Sequence, residues 1–177
     1  KKFNINYPET YYAKDKKEIL EKAKNFTKPF ITKHNRGGRG LGVKFFQNNS
    51  ELEKYINGKF ENSIDGVTLL QEYIESDPKI ITRVEFVKGK FLYAVQVDAS
   101  EGFELCPADA CNVEEKFCPT NPDGNKFMIL KDYKNPEIKK YEDLLKSNGI
   151  EISGIEYIKG KDGIHYTYDI NTNTNYN

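Results

Sequence analysis

Ile31-Thr32-Lys33-His34-Asn35-Arg36-Gly37-Gly38-Arg39-Gly40-Leu41-Gly42-Val43 is the stretch on which the fold turns. Four glycines fall within six residues, and Lys33 precedes them on an apolar run that reads as a strand. Without a Cβ, glycine lets backbone N–H groups turn toward an anion, and nearby cations supply charge. Such a loop is suited to closing over phosphates. It follows neither of the two commonest phosphate-loop patterns. No Lys-Ser or Lys-Thr ends a G-x-x-x-x-G frame, and the glycines run G-x-G rather than G-x-G-x-x-G. The competing reading is a flexible glycine hairpin between two strands.

The C-terminal third weighs on that choice. Gly154-Ile155-Glu156-Tyr157-Ile158 and Ile164-His165-Tyr166-Thr167-Tyr168-Asp169-Ile170-Asn171 read as strands joined through Lys161-Asp162-Gly163. Asp-Gly is a strong two-residue hairpin signal. A turn at Asp162-Gly163 sets Glu156 opposite Asp169, with Asn171 one pleat further on the same face. Directly opposed side chains lie about 4.5–5.5 Å apart at Cβ, so two carboxylates there repel unless a cation sits between them. Two acids and an amide oxygen are hard ligands of the kind Mg²⁺ accepts. The alternatives are a solvated acidic face, or a turn at Lys159-Gly160 that shifts the register.

With 177 residues the chain can bury a substantial core in one domain or two small lobes. Lys plus Arg and Asp plus Glu both number 27, which gives no global electrostatic case for nucleic acid or an anionic membrane. No apolar run has membrane-spanning length, and Lys1-Lys2-Phe3-Asn4 does not open a signal peptide. Cys106, Cys111 and Cys118, spaced C-x4-C-x6-C, lack the tighter pairs of a zinc site and read as ordinary thiols, the alternative being a metal or redox role. Three cysteines cannot all pair within the chain, so a reducing cytoplasm is expected.

Elsewhere helices and strands alternate. Asp15 to Phe26 reads as a helix capped by Asp15, with Glu18 at the third position. Phe30 to Lys33 and Val43 to Phe46 flank the glycine loop as strands. Ser50-Glu51-Leu52-Glu53 opens a second helix that stops at Asn57-Gly58. Thr68 to Ile74 is a strand ending Gln71-Glu72-Tyr73-Ile74, and Ile80 to Val87 pairs with Phe91 to Val97 across Lys88-Gly89. Asn135-Pro136 opens a third helix closed by Gly149. Ser100 to Tyr133 reads as irregular. The order predicts an α+β chain, with a small lobe over residues 1–70 that carries the glycine loop and a larger sheet lobe over 71–177.

Taken in order, the lysine strand, glycine loop, Gln-Glu-Tyr-Ile strand, arginine-bearing hairpin and terminal acid with its Asp-x-Asn pair resemble the ATP-grasp superfamily. Within it the chain is similar to the ribosomal-protein glutamate ligases, which are ATP-dependent carboxylate–amine ligases. The resemblance implies an ATP-grasp fold, with the nucleotide between two lobes and ATP used with Mg²⁺ or Mn²⁺. Lys33 would hold the α- and β-phosphates under the loop of Gly37, Gly38, Arg39, Gly40 and Gly42. Glu72 and the backbone of Tyr73 and Ile74 would meet adenine in the same cleft, and Arg83 would lie near the γ-phosphate. Glu156, Asp169 and Asn171 would hold the metal. For Arg83 the competing reading is an ion pair with Glu85 or another acid.

The chain departs from those ligases in three places. Ile81 stands where they tend to carry an acid for the ribose. Phe103-Glu104-Leu105-Cys106-Pro107 lies where they carry Arg-Ser-Asn, and Thr172-Asn173-Thr174 replaces the Pro-Gly after the asparagine. The resemblance also implies an N-terminal domain and a C-terminal end belonging to a longer protein. The expected substrates are a carboxylate and an amine, on small molecules or a peptide tail, with no nucleic-acid or membrane partner. The alternative is a catalytically degenerate ATP-binding module with a regulatory or assembly role.

Overall fold

The computed structural model describes residues 2–37, 42–100 and 127–172. They form two units, Pro8–Ile74 and a second that joins Glu75 onward with residues 2–7. The division thus falls after residue 74 rather than 70. The reason is that the strand ending at Glu72 belongs wholly to the first sheet.

In the first unit the elements run β1 (Thr10–Ala13), α1 (Lys16–Ala23), β2 (Phe30–His34), β3 (Lys44–Phe46), α2 (Asn49–Asn57) and β4 (Thr68–Glu72). The strands make an antiparallel sheet in the order β1-β4-β2-β3. Asp15 caps α1 by accepting the Glu18 N–H at 2.8 Å, while the Glu18 carboxylate accepts the Lys14 N–H at 2.9 Å. For α2 the cap is Asn48, which accepts the Glu51 N–H at 3.1 Å, rather than Ser50. Glu51 also accepts the Gln47 N–H, so it serves as the third residue of the helix and not the first. Ile19, Ala23, Phe30, Phe46, Leu52, Ile56 and Leu70 form the core between the helices and one face of the sheet.

The second unit holds β5 (Ile80–Val87), β6 (Lys90–Asp98), β7 (Phe127–Leu130), α3 (Glu137–Ser147), β8 (Ile152–Lys159) and β9 (His165–Asn171). Its antiparallel sheet has the order β7-β6-β5-β8-β9. Val84, Phe86, Ala94, Ile155 and Tyr157 line one face and pack with Tyr141 and Leu145 of α3. Alternation sends Arg83, Glu85, Glu156, Asp169 and Asn171 to the other face. β1 and β7 are additions to the sequence reading. Among the described residues no helix is long and apolar enough to cross a membrane.

Candidate functional site

In the first unit the register assigns each candidate to a face. Lys33 pairs with Leu69 and Ile31 with Gln71 and Phe45, so these residues share the face away from the helices. Phe45 is partly exposed there, and its ring meets that of Tyr73 edge-on at 4.9 Å. The resulting surface is apolar and aromatic with one lysine. Glu72 pairs with Phe30, which puts it on the opposite face. Its carboxylate lies 3.5 Å from the Glu9 N–H. Lys33 and Glu72, expected to face one cleft, therefore leave this sheet from opposite sides, since three positions along paired strands change the face. The Tyr73 N–H donates to the Pro29 carbonyl at 3.1 Å, which leaves the Ile74 N–H as the donor of that pair.

Of the glycine loop, Gly37 and Gly42 are described. Gly42 packs on the His34 ring, where an added Cβ would come within 3.0 Å of the imidazole. Asn35, at the loop's entry, is tied down by its N–H to Val67 O at 3.1 Å and by its amide to Asp65 at 2.7 Å. Asp65 is held at a pKa of about 2 by hydrogen bonds from Asn35 and Ser63, although it is exposed. Gly38, Arg39, Gly40 and Leu41 lie outside the described residues, as do Cys106, Cys111 and Cys118.

In the second unit one cluster gathers on the polar sheet face. Glu156 pairs with Asp169 and Gly154 with Asn171, so both acids and the amide share that face. Arg83 pairs with Glu156 from the other side. Its Nη1 donates to Glu156 Oε1 at 2.8 Å and its Nε to Glu85 Oε1 at 2.5 Å. These bonds are the ion pair with Glu85 or another acid that was the competing reading of Arg83, and one of the two acids belongs to the Asp-x-Asn cluster. Gly154 makes this possible. An added Cβ would stand 2.8 Å from the guanidinium carbon, so the side chain of Arg83 occupies the space above the glycine. Glu85 is 4% exposed and its second oxygen has no hydrogen-bond partner.

Tyr168 escaped the sequence reading. Its hydroxyl donates to Glu156 Oε2 at 2.8 Å, so each oxygen of Glu156 accepts a hydrogen bond. Burial, and then the Glu156 charge, hold the phenol pKa well above its usual value, so it remains a donor. Its position depends on a β-bulge in β9, which no pattern of residue types in this stretch announces.

The residue set suits a divalent cation. Among the described residues no three His, Cys, Asp or Glu side chains gather to hold a metal. Two carboxylates and an amide on one face nevertheless provide hard oxygen donors, with positions left for water and phosphate.

Residues 2–113 match the family described as RimK-like ATP-grasp domain. The chain belongs to that family. Solved structures agree on the fold of this RimK-like ATP-grasp chain. D-cycloserine synthetase DcsG superposes with a TM-score of 0.66 at 15% identity, covering 97% of this chain and 58% of that one. The ATP-grasp ligase PsnB, complexed with minimal precursor, Mg and ADP, gives 0.61 at 13% identity, covering 98% and 46%. D-alanyl-alanine synthetase A from Vibrio cholerae gives 0.58 at 15% identity, covering 97% and 52%. The RimK-like chain thus spans about half the length of these structures. A search of curated protein sequences gives no match. The family match ends before Glu156, Asp169 and Asn171, so the reading of those residues stands on register and fold.

Proposed function

We propose that this chain is the nucleotide-binding core of an ATP- and Mg²⁺-dependent carboxylate–amine ligase. The observation that carries the proposal is the Glu156–Asp169–Asn171 face with Arg83 across from Glu156, in a RimK-like ATP-grasp chain. Glu156, Asp169 and Asn171 would hold the metal, whose charge would offset that of the phosphates. Lys33 would meet the α- and β-phosphates, with the loop of Gly37, Gly38, Arg39, Gly40 and Gly42 closing over them. The apolar surface of Ile31, Phe45 and Leu69 suits a flat heterocycle. At the end of β4 the Tyr73–Ile74 backbone would meet the adenine edge.

A substrate carboxylate then attacks the γ-phosphate, giving an acyl phosphate and ADP. Lys33 and Arg83 would offset charge on the transferring group, Arg83 by turning from Glu156 to a phosphate oxygen. An amine attacks the acyl carbon, phosphate leaves, and an amide or peptide-like bond forms. Exclusion of water by the closed loop would protect the acyl phosphate. No side-chain nucleophile is required.

The second reading is an ATP-binding module without ligase chemistry. Ile81 favours it: where a ribose-binding acid is expected, it pairs with Val97 and Ile158 in an apolar row. The experiment is ADP release by the full-length protein with ATP, Mg²⁺ and a pool of amino acids and peptides, beside Asp169→Asn. Acceptor-dependent ADP release that Asp169→Asn abolishes supports the ligase. ATP binding with no turnover under any acceptor supports the second reading.

A further inference from the structure

Residues 167 and 169 of a regular strand share a face. Here they do not. Thr167 pairs with Tyr157 and is buried, its hydroxyl 2.8 Å from that of Tyr141 on the α3 side. Asp169 pairs with Glu156 on the polar side. The change of face needs one extra residue, and Tyr168 is that residue, extruded opposite the step from Glu156 to Tyr157. The bulge therefore does two things. It lets β9 contribute both to the core and to the acidic cluster, and it adds an aromatic side chain to the polar face.

That side chain reaches Glu156. The Tyr168 hydroxyl donates to Glu156 Oε2 while Arg83 takes Oε1, so the carboxylate is held from both sides. The two donors differ in kind. Arg83 carries a positive charge on a side chain 23% exposed, and a phosphate oxygen competes for it. The phenol is neutral, and its rigid ring has only two torsions to fix. We propose that Tyr168 is a positioning residue for Glu156, holding its carboxylate in the metal-binding orientation when Arg83 turns to phosphate. This inference rests on the reading of Glu156 as a metal ligand. Partners of this kind, one step removed from the metal, are typically worth about 10–100-fold in affinity.

Mn²⁺ is the probe, titrated into the full-length protein with ADP present and followed by the electron paramagnetic resonance signal of the free ion. Tyr168→Phe keeps the ring and removes the donor. It is expected to weaken Mn²⁺ binding about 10–100-fold in a protein that remains folded at the temperature of the titration. In a Glu156→Gln background the same change is expected to add no further loss, because Tyr168 acts through that carboxylate. Unchanged Mn²⁺ affinity in Tyr168→Phe, beside a clear loss in Glu156→Gln, overturns the role of Tyr168 and leaves the metal reading standing. An equal further loss in both backgrounds overturns it too. If neither Glu156→Gln nor Asp169→Asn alters Mn²⁺ binding, both readings fall.

Discussion

Replacing Gly154 with alanine tests the polar cluster without touching any charged residue. The new Cβ would run into Nη2 of Arg83 and stand 2.8 Å from its Cζ, closer than real Cβ atoms come to their neighbours. What it meets is the far end of a flexible side chain, so the steric cost is small if Arg83 moves. The electrostatic cost is larger. The guanidinium is clamped between Glu85 and Glu156, whose side chains are only 5% and 12% exposed. Hydrogen bonds to charged groups are worth about 1.5–3 kcal/mol each. A displaced arginine can re-form one of its two, so about one such bond is lost. Alanine in place of a strand glycine returns roughly 0.5–1 kcal/mol of backbone entropy. The expected net destabilisation is about 1–2 kcal/mol, or a fall in thermal midpoint of about 2–8 °C for a chain of this size. The informative comparison is the same substitution in an Arg83→Gln background, where the obstruction is gone and alanine is expected to be neutral or stabilising. A midpoint unchanged by Gly154→Ala alone, or an equal fall in both backgrounds, would refute the account of Gly154 as room for the guanidinium.

Three further outcomes are expected. Lys33→Ala should weaken ATP binding by the roughly 1.5–3 kcal/mol of a charge-assisted contact, measured by calorimetry; an unchanged affinity assigns the lysine to ordinary surface. Tyr141→Phe deprives the buried Thr167 hydroxyl of its 2.8 Å partner, and should cost about 0.5–1.5 kcal/mol in denaturant unfolding with no change in slope. Asp65 has a folded pKa of about 2 against an ordinary 3.8, so its contribution is present above pH 3.8 and is lost as pH falls through 2. The unaltered protein should therefore lose more thermal stability between pH 4 and pH 2 than Asp65→Asn does. Parallel melting curves would show that Asp65 does not anchor Asn35.

Much of the fold was legible because short-range chemistry declares it. Asp15 with Glu18, Lys88-Gly89 and the Asn135-Pro136 to Gly149 segment each carry their own start or stop signal, and the elements they bound are present. β1 is different. Thr10-Tyr11-Tyr12-Ala13 has no turn residue to set it off, and its place is fixed by pairing with β4, more than fifty residues away. β7 lacked a signal for the same reason, because its identity as a strand comes from β6. The candidate site divides along similar lines. Lys33 and Arg83 are conspicuous by residue type, but that Lys33 and Glu72 leave opposite faces depends on the β2–β4 register.

The acidic pair reached its expected register by an unexpected route. The hairpin turn is not the two-residue Asp162-Gly163 turn but a three-residue one. Gly163 N–H bonds Gly160 O, and Gly160 N–H bonds Ile164 O, both at 2.9 Å. Gly163 adopts φ +81°, the left-handed residue that completes a type I turn with its bulge. This shifts the pairing near the turn by one, so that Lys159 faces His165 and Tyr157 faces Thr167. Carried onward unchanged, that pairing would have put Glu156 opposite Tyr168 and moved Asp169 to the core face. The bulge at Tyr168 adds the residue back, and Glu156 meets Asp169. Turn and bulge are thus coupled: a glycine-free turn that altered the first offset would leave the second uncorrected. The acidic pair owes its face to both irregularities, and the hydroxyl that grips Glu156 is a by-product of the second.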